Sequence, residues 1–141
     1  MRSLLIILLL SLLTFACSNK KNAAKTSTQN INRVWMLVEF KDYKKDFLVE
    51  KNAFLNLTEV GRASSKMGCN SLSFSYSIKE DTIIEFSQGI ATKMFCHDSM
   101  QLEDDFLKTI QKIKNFKVEG DFLTLTSSNG EKMVFIAQDW D

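Results

Sequence analysis

The residues that could do chemistry are two cysteines, Cys69 and Cys96, together with Met94, His97 and Met100 near the second cysteine. Thiolate and thioether groups are soft ligands that suit Cu(I), and imidazole also binds copper. A metal- or redox-responsive sensor that uses Cys69, Cys96, Met94 and His97 is therefore one hypothesis. Two considerations weaken it. Strand alternation would put Met94 and Cys96 on one face and His97 on the other, and methionine on a strand more often fills a core.

Nucleophilic catalysis by a cysteine is a second hypothesis. It needs a base within hydrogen-bonding reach of the thiol and a third group that orients the base. His97 is the single histidine and directly follows Cys96, and adjacent side chains seldom point at each other, so a dyad would require Cys69. The sequence also lacks a glycine-rich phosphate loop and a run of mixed basic and aromatic residues. We therefore predict no catalytic residues, no metal or other cofactor, and no enzymatic activity.

Composition limits the class of protein. The chain has 141 residues, the size of one ordinary domain, and 45% of them are hydrophobic, enough for a packed core. It carries 18 Lys and Arg against 17 Asp and Glu, a formal net charge of +1. Nucleic-acid-binding domains usually carry a strong positive excess, so this balance argues against a nucleic-acid partner. Three cysteines are present, so pairing two of them leaves one with a different role.

The N-terminus has the features of an export signal. An apolar run from Leu4 to Leu13 follows one positive charge, and at about ten residues it is too short to span a bilayer as a helix. The run leads to Ala16 and Cys17, which resemble the lipobox of bacterial lipoproteins, where the cysteine is lipidated and becomes the first mature residue. We predict a signal peptide over residues 1–16 and lipidation of Cys17. The alternative is an ordinary cleaved signal peptide with an incidental cysteine.

The segment that follows predicts a flexible tether over residues 17–32. It is polar and cannot bury enough apolar surface to fold by itself. As a random coil of about 15 residues it would span roughly 20 Å. No aspartate directly follows Cys17, so the inner-membrane retention signal of some bacteria is missing. We expect the lipid on Cys17 to anchor the chain in the outer membrane, with a domain of residues 33–141 in the periplasm.

The domain is predicted to be mainly β. In the segment from Ser71 to Ile78, large apolar residues alternate with serines, and a period of two is the strand period. Short strands at close spacing are typical of antiparallel sandwiches and barrels. The pair Asn129-Gly130 suits a type I′ hairpin turn. Further strands are predicted at residues 34–38, 54–58, 83–86, 116–118, 122–126 and 133–136.

One helix is predicted near residues 99–114, which makes the fold class α+β. Leu102, Phe106, Ile110 and Ile113 recur at helical spacing, and Asp98 is placed to cap the N-terminus. Acidic residues near its start and lysines toward its end match the helix dipole, so we expect an exposed acidic first turn rather than a metal site. These charged residues are Glu103, Asp104 and Asp105, then Lys108, Lys112 and Lys114.

The segments Gly68-Cys69-Asn70 and Thr92-Lys93-Met94-Phe95-Cys96, with a helix after the second, resemble the META domain. This is the family of the HslJ-type heat-shock proteins and many small envelope lipoproteins. The resemblance spans roughly residues 33–137 and implies a compact antiparallel β-barrel-like fold with the helix packed against it. It also implies no catalytic residues, no cofactor and a link to stress responses. Phe74 and Phe95 depart from the usual Gly and Ala. The matching motif residues are Gly68, Asn70, Tyr76, Thr92 and Met94.

Export also bears on the cysteines. Paired cysteines usually form disulfides in an oxidising compartment, so we predict a disulfide between Cys69 and Cys96. Closing that loop would stabilise the fold by roughly 3.5 kcal/mol. The alternative is two buried free thiols that behave as small hydrophobes.

Taken together, the sequence predicts a non-enzymatic envelope lipoprotein that acts as a binding or structural module in stress resistance. Its membrane contact would be the lipid anchor on Cys17. The sensor remains one alternative. A carrier of a small apolar ligand is another, because barrel mouths are common ligand sites. A barrel interior filled by side chains would exclude the carrier.

Overall fold

The computed structural model describes residues 31–140. The predicted signal peptide, Cys17 and most of the predicted tether lie outside the described residues. The strands are β1 (Val34–Phe40), β2 (Phe54–Asn56), β3 (Arg62–Lys66), β4 (Ser71–Glu80), β5 (Ile83–Phe86), β6 (Ile90–Ala91), β7 (Ile113–Glu119), β8 (Phe122–Ser127) and β9 (Lys132–Ala137). The helices are α1 (Lys45–Glu50) and α2 (Met100–Ile110).

The strands form a closed antiparallel barrel, which confirms the predicted fold class. Each strand of the ring pairs with the next along the chain, and β9 returns to pair with β1. β6 continues the line of β5 and pairs with the start of β4, so eight strands close the ring. The seam between β5 and β7 has the fewest paired positions in the ring, with the single pair Ile83 and Asn115. Helix α2 lies in the segment of the chain that leads into β7 at this seam.

Side chains fill the barrel interior. On β4, Leu72, Phe74 and Tyr76 point inward and are buried, and the serines between them are exposed, as the alternation predicts. Trp35 and Phe135 have no exposed surface at all. A water-sized void would leave exposed area on the side chains that line it, so these residues pack at interior density. As far as residues 31–140 show, the barrel interior therefore has no room for the small apolar ligand that the carrier hypothesis requires.

The structure has two helices among the described residues, where the sequence predicted one. Helix α1 connects β1 to β2 and buries Leu48 completely. Helix α2 ends at Ile110, and the predicted extension to residue 114 is wrong because Ile113 already begins β7. Ile113 is apolar because it faces the core from a strand, so its helical spacing is coincidental. Neither helix is long and apolar enough to cross a membrane.

Two local predictions need correction. Asp98 does not cap α2: the cap position is Ser99, without a side-chain hydrogen bond, and the Asp98 carboxylate instead lies 2.9 Å from Nδ1 of His97. The turn at Asn129-Gly130 is not type I′, which needs positive φ at both residues. Gly130 has a φ of +87°, but Asn129 has no positive φ.

The two ends of the barrel differ. One end, which we call the helix end, carries α1, α2, the β3–β4 turn and the segment between β6 and α2. The other, which we call the tether end, carries the start of β1, the β2–β3 and β7–β8 turns and the residues after β9. Arg33 closes the tether end by ion pairs to Asp121 (2.8 Å) and Asp139 (2.7 Å).

The folded domain begins before residue 33. Ile31 is 1% exposed, and its carbonyl accepts a hydrogen bond of 2.8 Å from Nε1 of Trp35. Ile31, which the sequence places at the end of the predicted tether, is thus packed into the core of the barrel. Burial of one apolar side chain in an otherwise polar segment ties this part of the chain to the barrel.

Candidate functional site

The two cysteines of the motif segments are joined. A disulfide links Cys69 and Cys96 across 27 residues, as the sequence predicts. Cys69 is buried and Cys96 is half-buried. The alternative of two free thiols is therefore wrong. The bond ties the segment after β3 to the segment before α2, so both motif segments lie side by side at the helix end.

Asn70 connects these segments through its side-chain amide. Its Oδ1 accepts hydrogen bonds from the backbone N–H of Met94 (2.7 Å) and from the hydroxyl of Thr92 (2.8 Å). Its Nδ2 donates to the carbonyl of Met94 at 3.1 Å. One amide thus bonds both backbone groups of Met94, as a neighbouring strand would. Residues 92–98 hold their position without belonging to a strand.

Glu103 holds Asn70 from the other side. Oε2 of Glu103 accepts from the backbone N–H of Asn70 (2.8 Å), and Oε1 accepts from Nδ2 of Asn70 (2.9 Å). Glu103 is only 3% exposed, so the prediction of an exposed acidic first turn is wrong for this residue. Its position in the first turn of α2 places the carboxylate near the positive end of the helix dipole, which offsets part of the cost of burying it.

Gly68 has two reasons to be glycine. Its φ is +96°, a conformation that other residues rarely adopt. A Cβ added there would lie 2.8 Å from Oγ of Ser99 and 3.0 Å from Cβ of Lys51. We call Gly68, Cys69, Asn70, Thr92, Cys96 and Glu103 the clasp, and residues 92–98 the clasped loop.

Tyr76 lies away from the clasp. Its side chain is 7% exposed inside the barrel, and its hydroxyl lies 3.4 Å from the carbonyl of Leu57, toward the tether end. Burial raises the pKa of the Tyr76 hydroxyl. Among the motif residues, Tyr76 is therefore a core residue, and the others meet at the helix end.

The clasped loop exposes large apolar side chains. Met94 is 54% exposed and Phe95 is 83% exposed, and Ile90 on the preceding strand is 78% exposed. The expectation that Met94 fills the core is wrong, because Asn70 holds the backbone of Met94 and leaves the side chain outside. Phe74, the other departure from the family pattern, is buried. Its ring packs edge-on against that of Phe86, with the ring centroids 5.7 Å apart.

The geometry does not gather a metal site from the sensor residues. Cys69 and Cys96 are bonded to each other and offer no thiolate, and the side chain of His97 is 91% exposed beside Asp98. The hydrogen bond from His97 lowers the pKa of the Asp98 carboxyl. In residues 31–140, no group of three or more His, Cys, Asp or Glu residues is arranged to hold a metal ion.

A second polar cluster, which the sequence did not predict, attaches α2 to the end of β1. Asp105 accepts from Nζ of Lys41 (2.8 Å) and from the hydroxyl of Tyr43 (2.7 Å). Burial raises the pKa of Asp105, but hydrogen bonds from Lys41, Tyr43 and Gln101 outweigh it and lower the pKa to about 2. Desolvation and the adjacent carboxylate raise the pKa of Tyr43. The Tyr43 ring stacks between Phe40 and Phe47, which holds the hydroxyl in place.

This cluster predicts how stability depends on acid. Asp105 has a folded pKa of about 2 against an ordinary value of 3.8, so its contribution is complete above about pH 4 and is lost as the pH falls toward 2. Asp105→Asn should lower the free energy of unfolding at pH 7 by about 2 kcal/mol and flatten the loss of stability between pH 4 and pH 2. Thermal unfolding measured from pH 2 to pH 7 tests this. Asp104 is the exposed neighbour, so Asp104→Asn serves as the control. Equal pH profiles for Asp105→Asn and the wild type would contradict the prediction.

Comparison with known proteins agrees with this architecture. The chain is similar to a solved structure, the NMR structure of a protein from Burkholderia xenovorans, with a TM-score of 0.64 and 22% sequence identity. The similarity covers 77% of this chain and 83% of that one. No curated protein matches the sequence. The family model of the META domain matches residues 28–140, which include every residue of the clasp. The chain therefore belongs to the META domain family.

Proposed function

We propose that this protein is a lipid-anchored, non-enzymatic binding module of the cell envelope that contributes to stress resistance and presents the clasped loop to a protein partner. The observation that carries the proposal is the exposure of Met94 and Phe95 on a loop whose backbone is fixed. Asn70 bonds the backbone of Met94, and the disulfide holds the next turn at Cys96.

Rigid exposed apolar side chains favour binding for two reasons. Aromatic residues and methionine are enriched at protein interfaces, and a few such anchors supply most of the binding free energy. A loop that is already ordered loses little further conformational entropy when it binds. Ile90, Met94 and Phe95 lie within six residues of each other, so they can act on one partner.

A binding role also fits the rest of the domain. META domains are in general a non-catalytic family. Because side chains fill the barrel interior, a partner would be recognised through contacts on the surface of the domain. The support for stress resistance is membership of the family, and the support for the anchor is the lipobox-like sequence that ends at Cys17. The part of the predicted tether between Cys17 and the buried Ile31 has 13 residues, and as a random coil these would have a root-mean-square span of roughly 20 Å.

Photo-crosslinking in intact cells tests the binding surface. Phe95 is replaced by a photoreactive phenylalanine derivative, and Lys117, 61% exposed on the barrel wall, is replaced in the same way as the matched control. We expect a discrete protein adduct from position 95 and none from position 117. Phe95→Ser combined with Met94→Ser should reduce tolerance to envelope stress to the level of a deletion strain without lowering the melting temperature. The same adducts from both positions, or full tolerance in the double variant, would refute the binding surface.

The anchor is tested separately. Mass spectrometry of the mature chain should find acyl groups on an N-terminal Cys17, and Cys17→Ala should release the protein from the membrane fraction. A mature chain that begins elsewhere, or an unmodified Cys17, would overturn the anchor and leave the binding surface to its own test.

A further inference from the structure

Three large apolar side chains are exposed at the tether end. Val60 in the β2–β3 turn is 78% exposed, Phe122 at the start of β8 is 46% exposed, and Trp140 after β9 is 56% exposed. They come from three different parts of the chain, and the antiparallel topology brings them to the same end of the barrel. The proposed binding surface at the helix end does not use them.

We infer that the tether end rests on the lipid bilayer, with Trp140, Phe122 and Val60 at the level of the headgroups. This inference rests on the proposed anchor for one point only, that a bilayer lies near the tether end. The chain outside the structure arrives at this end, because residue 30 precedes Ile31 and Ile31 is fixed there by burial and by Trp35. The 13 residues between Cys17 and Ile31 belong to the predicted tether, so a lipid on Cys17 would place a bilayer at a root-mean-square distance of roughly 20 Å from the tether end.

The exposed side chains of the tether end are of the types that favour contact with a bilayer. Tryptophan and other aromatic rings favour the boundary between headgroups and acyl chains, where one face of the ring is apolar and the other is wet. An open groove at this end is lined by Thr58, from the β2–β3 turn that also carries Val60, and by Gln138 and Asp139, which directly precede Trp140. Separate side chains around a groove can enter a fluid headgroup layer individually, whereas a dry protein interface needs a continuous patch.

The charges make the contact short-ranged. Arg33 at this end is already paired with Asp121 and Asp139, so it offers no free positive charge to anionic lipid. Weak apolar contacts alone would not hold a soluble domain on a membrane. A short tether raises the local concentration into the millimolar range, at which such contacts become occupied.

Contact of the tether end with the bilayer also determines which way the helix end faces. Strand β4 has 10 residues, which at a barrel tilt correspond to about 25 Å along the axis. With the tether end on the bilayer, the clasped loop faces away from it. Phe95 is then on the side of the domain that a periplasmic partner can reach.

The two tryptophans of the chain make a direct test possible. Trp35 is completely buried and Trp140 is exposed, so a quencher in the lipid acts on Trp140 alone. The mature chain, beginning at Cys17, is coupled through that thiol to a maleimide lipid in phosphatidylcholine vesicles whose acyl chains carry bromine. The disulfide keeps Cys69 and Cys96 from reacting. We expect the fluorescence of Trp140 to fall about twofold relative to vesicles without bromine. Trp140→Phe should abolish the quenching.

Two further variants separate the possible results. In the Trp140→Phe background, Phe95→Trp places a reporter at the helix end, and it should remain unquenched. Val60→Ser with Phe122→Ser should weaken the quenching of Trp140. Absence of quenching at Trp140, or equal quenching at positions 95 and 140, would overturn the inference. Because the lipid is attached chemically, failure of natural acylation would refute the proposed anchor without affecting this result.

Discussion

Replacing Asn70 by alanine should lower the free energy of unfolding by about 3–5 kcal/mol. The substitution removes every hydrogen bond of the amide and leaves the buried carboxylate of Glu103 with one donor from the backbone of residue 70. It also frees the backbone N–H and carbonyl of Met94. Unfolding in urea measures the change, and an unchanged m-value would show that the loss lies in the folded state.

Two controls make the result specific. Asn115 on β7 is exposed, and Asn115→Ala should change stability by no more than about 0.5 kcal/mol. In a double-mutant cycle, Asn70→Ala combined with Glu103→Gln should cost less than the sum of the single changes, because both remove the same contact. A loss below about 1 kcal/mol for Asn70→Ala, or strict additivity, would show that the clasp contributes little.

Removing the disulfide should have an effect of similar size. Cys69→Ala with Cys96→Ala is expected to lower the free energy of unfolding by about 3.5 kcal/mol, mainly because the unfolded chain regains the freedom of the closed loop. The barrel should remain closed, since the bond lies at the helix end and no strand pairing depends on it. Urea unfolding with and without reductant measures this: reductant should shift the midpoint of the wild type and leave that of the double variant unchanged.

The same measurement can also refute the predicted contribution of the disulfide. If the wild type and the double variant unfold at the same urea concentration without reductant, the bond contributes no stability. Far-ultraviolet circular dichroism before unfolding should be the same for both proteins, which separates a loss of stability from a loss of fold.

The strands were predictable where their period of two was visible. Ser71 to Ile78 is the clearest case, and it forms the greater part of β4. Strand β3 was missed because its inward residues are small. Ala63 pairs with Phe74 and Ser65 pairs with Leu72, so the large side chains of β4 need small ones opposite them. Helix α1, with six residues, is too short for a helical apolar stripe to be visible.

The motif segments were predictable, but their connection was not. Nothing local in the sequence distinguishes Glu103, which binds Asn70, from Asp104, which is exposed in the same turn. The two partners are 33 residues apart, and the contact depends on where the barrel places the first turn of α2. One signal was available for the start of the domain: Ile31 is an isolated large apolar residue in the polar segment, and it is buried.

The pairing of β1 with β9 determines when the barrel can form. Among residues 31–140, β1 is the first strand and β9 is the last, and they share five paired positions from Trp35 to Phe40. The chain is synthesised from its N-terminus, so one edge of β1 has no partner until the C-terminal residues have emerged as well. Contacts between the two ends of a chain are also the slowest to form, because the longest loop must close first. The barrel therefore closes in a single late event after its last strand has emerged, and until then the open edge of β1 is the segment most in need of a chaperone.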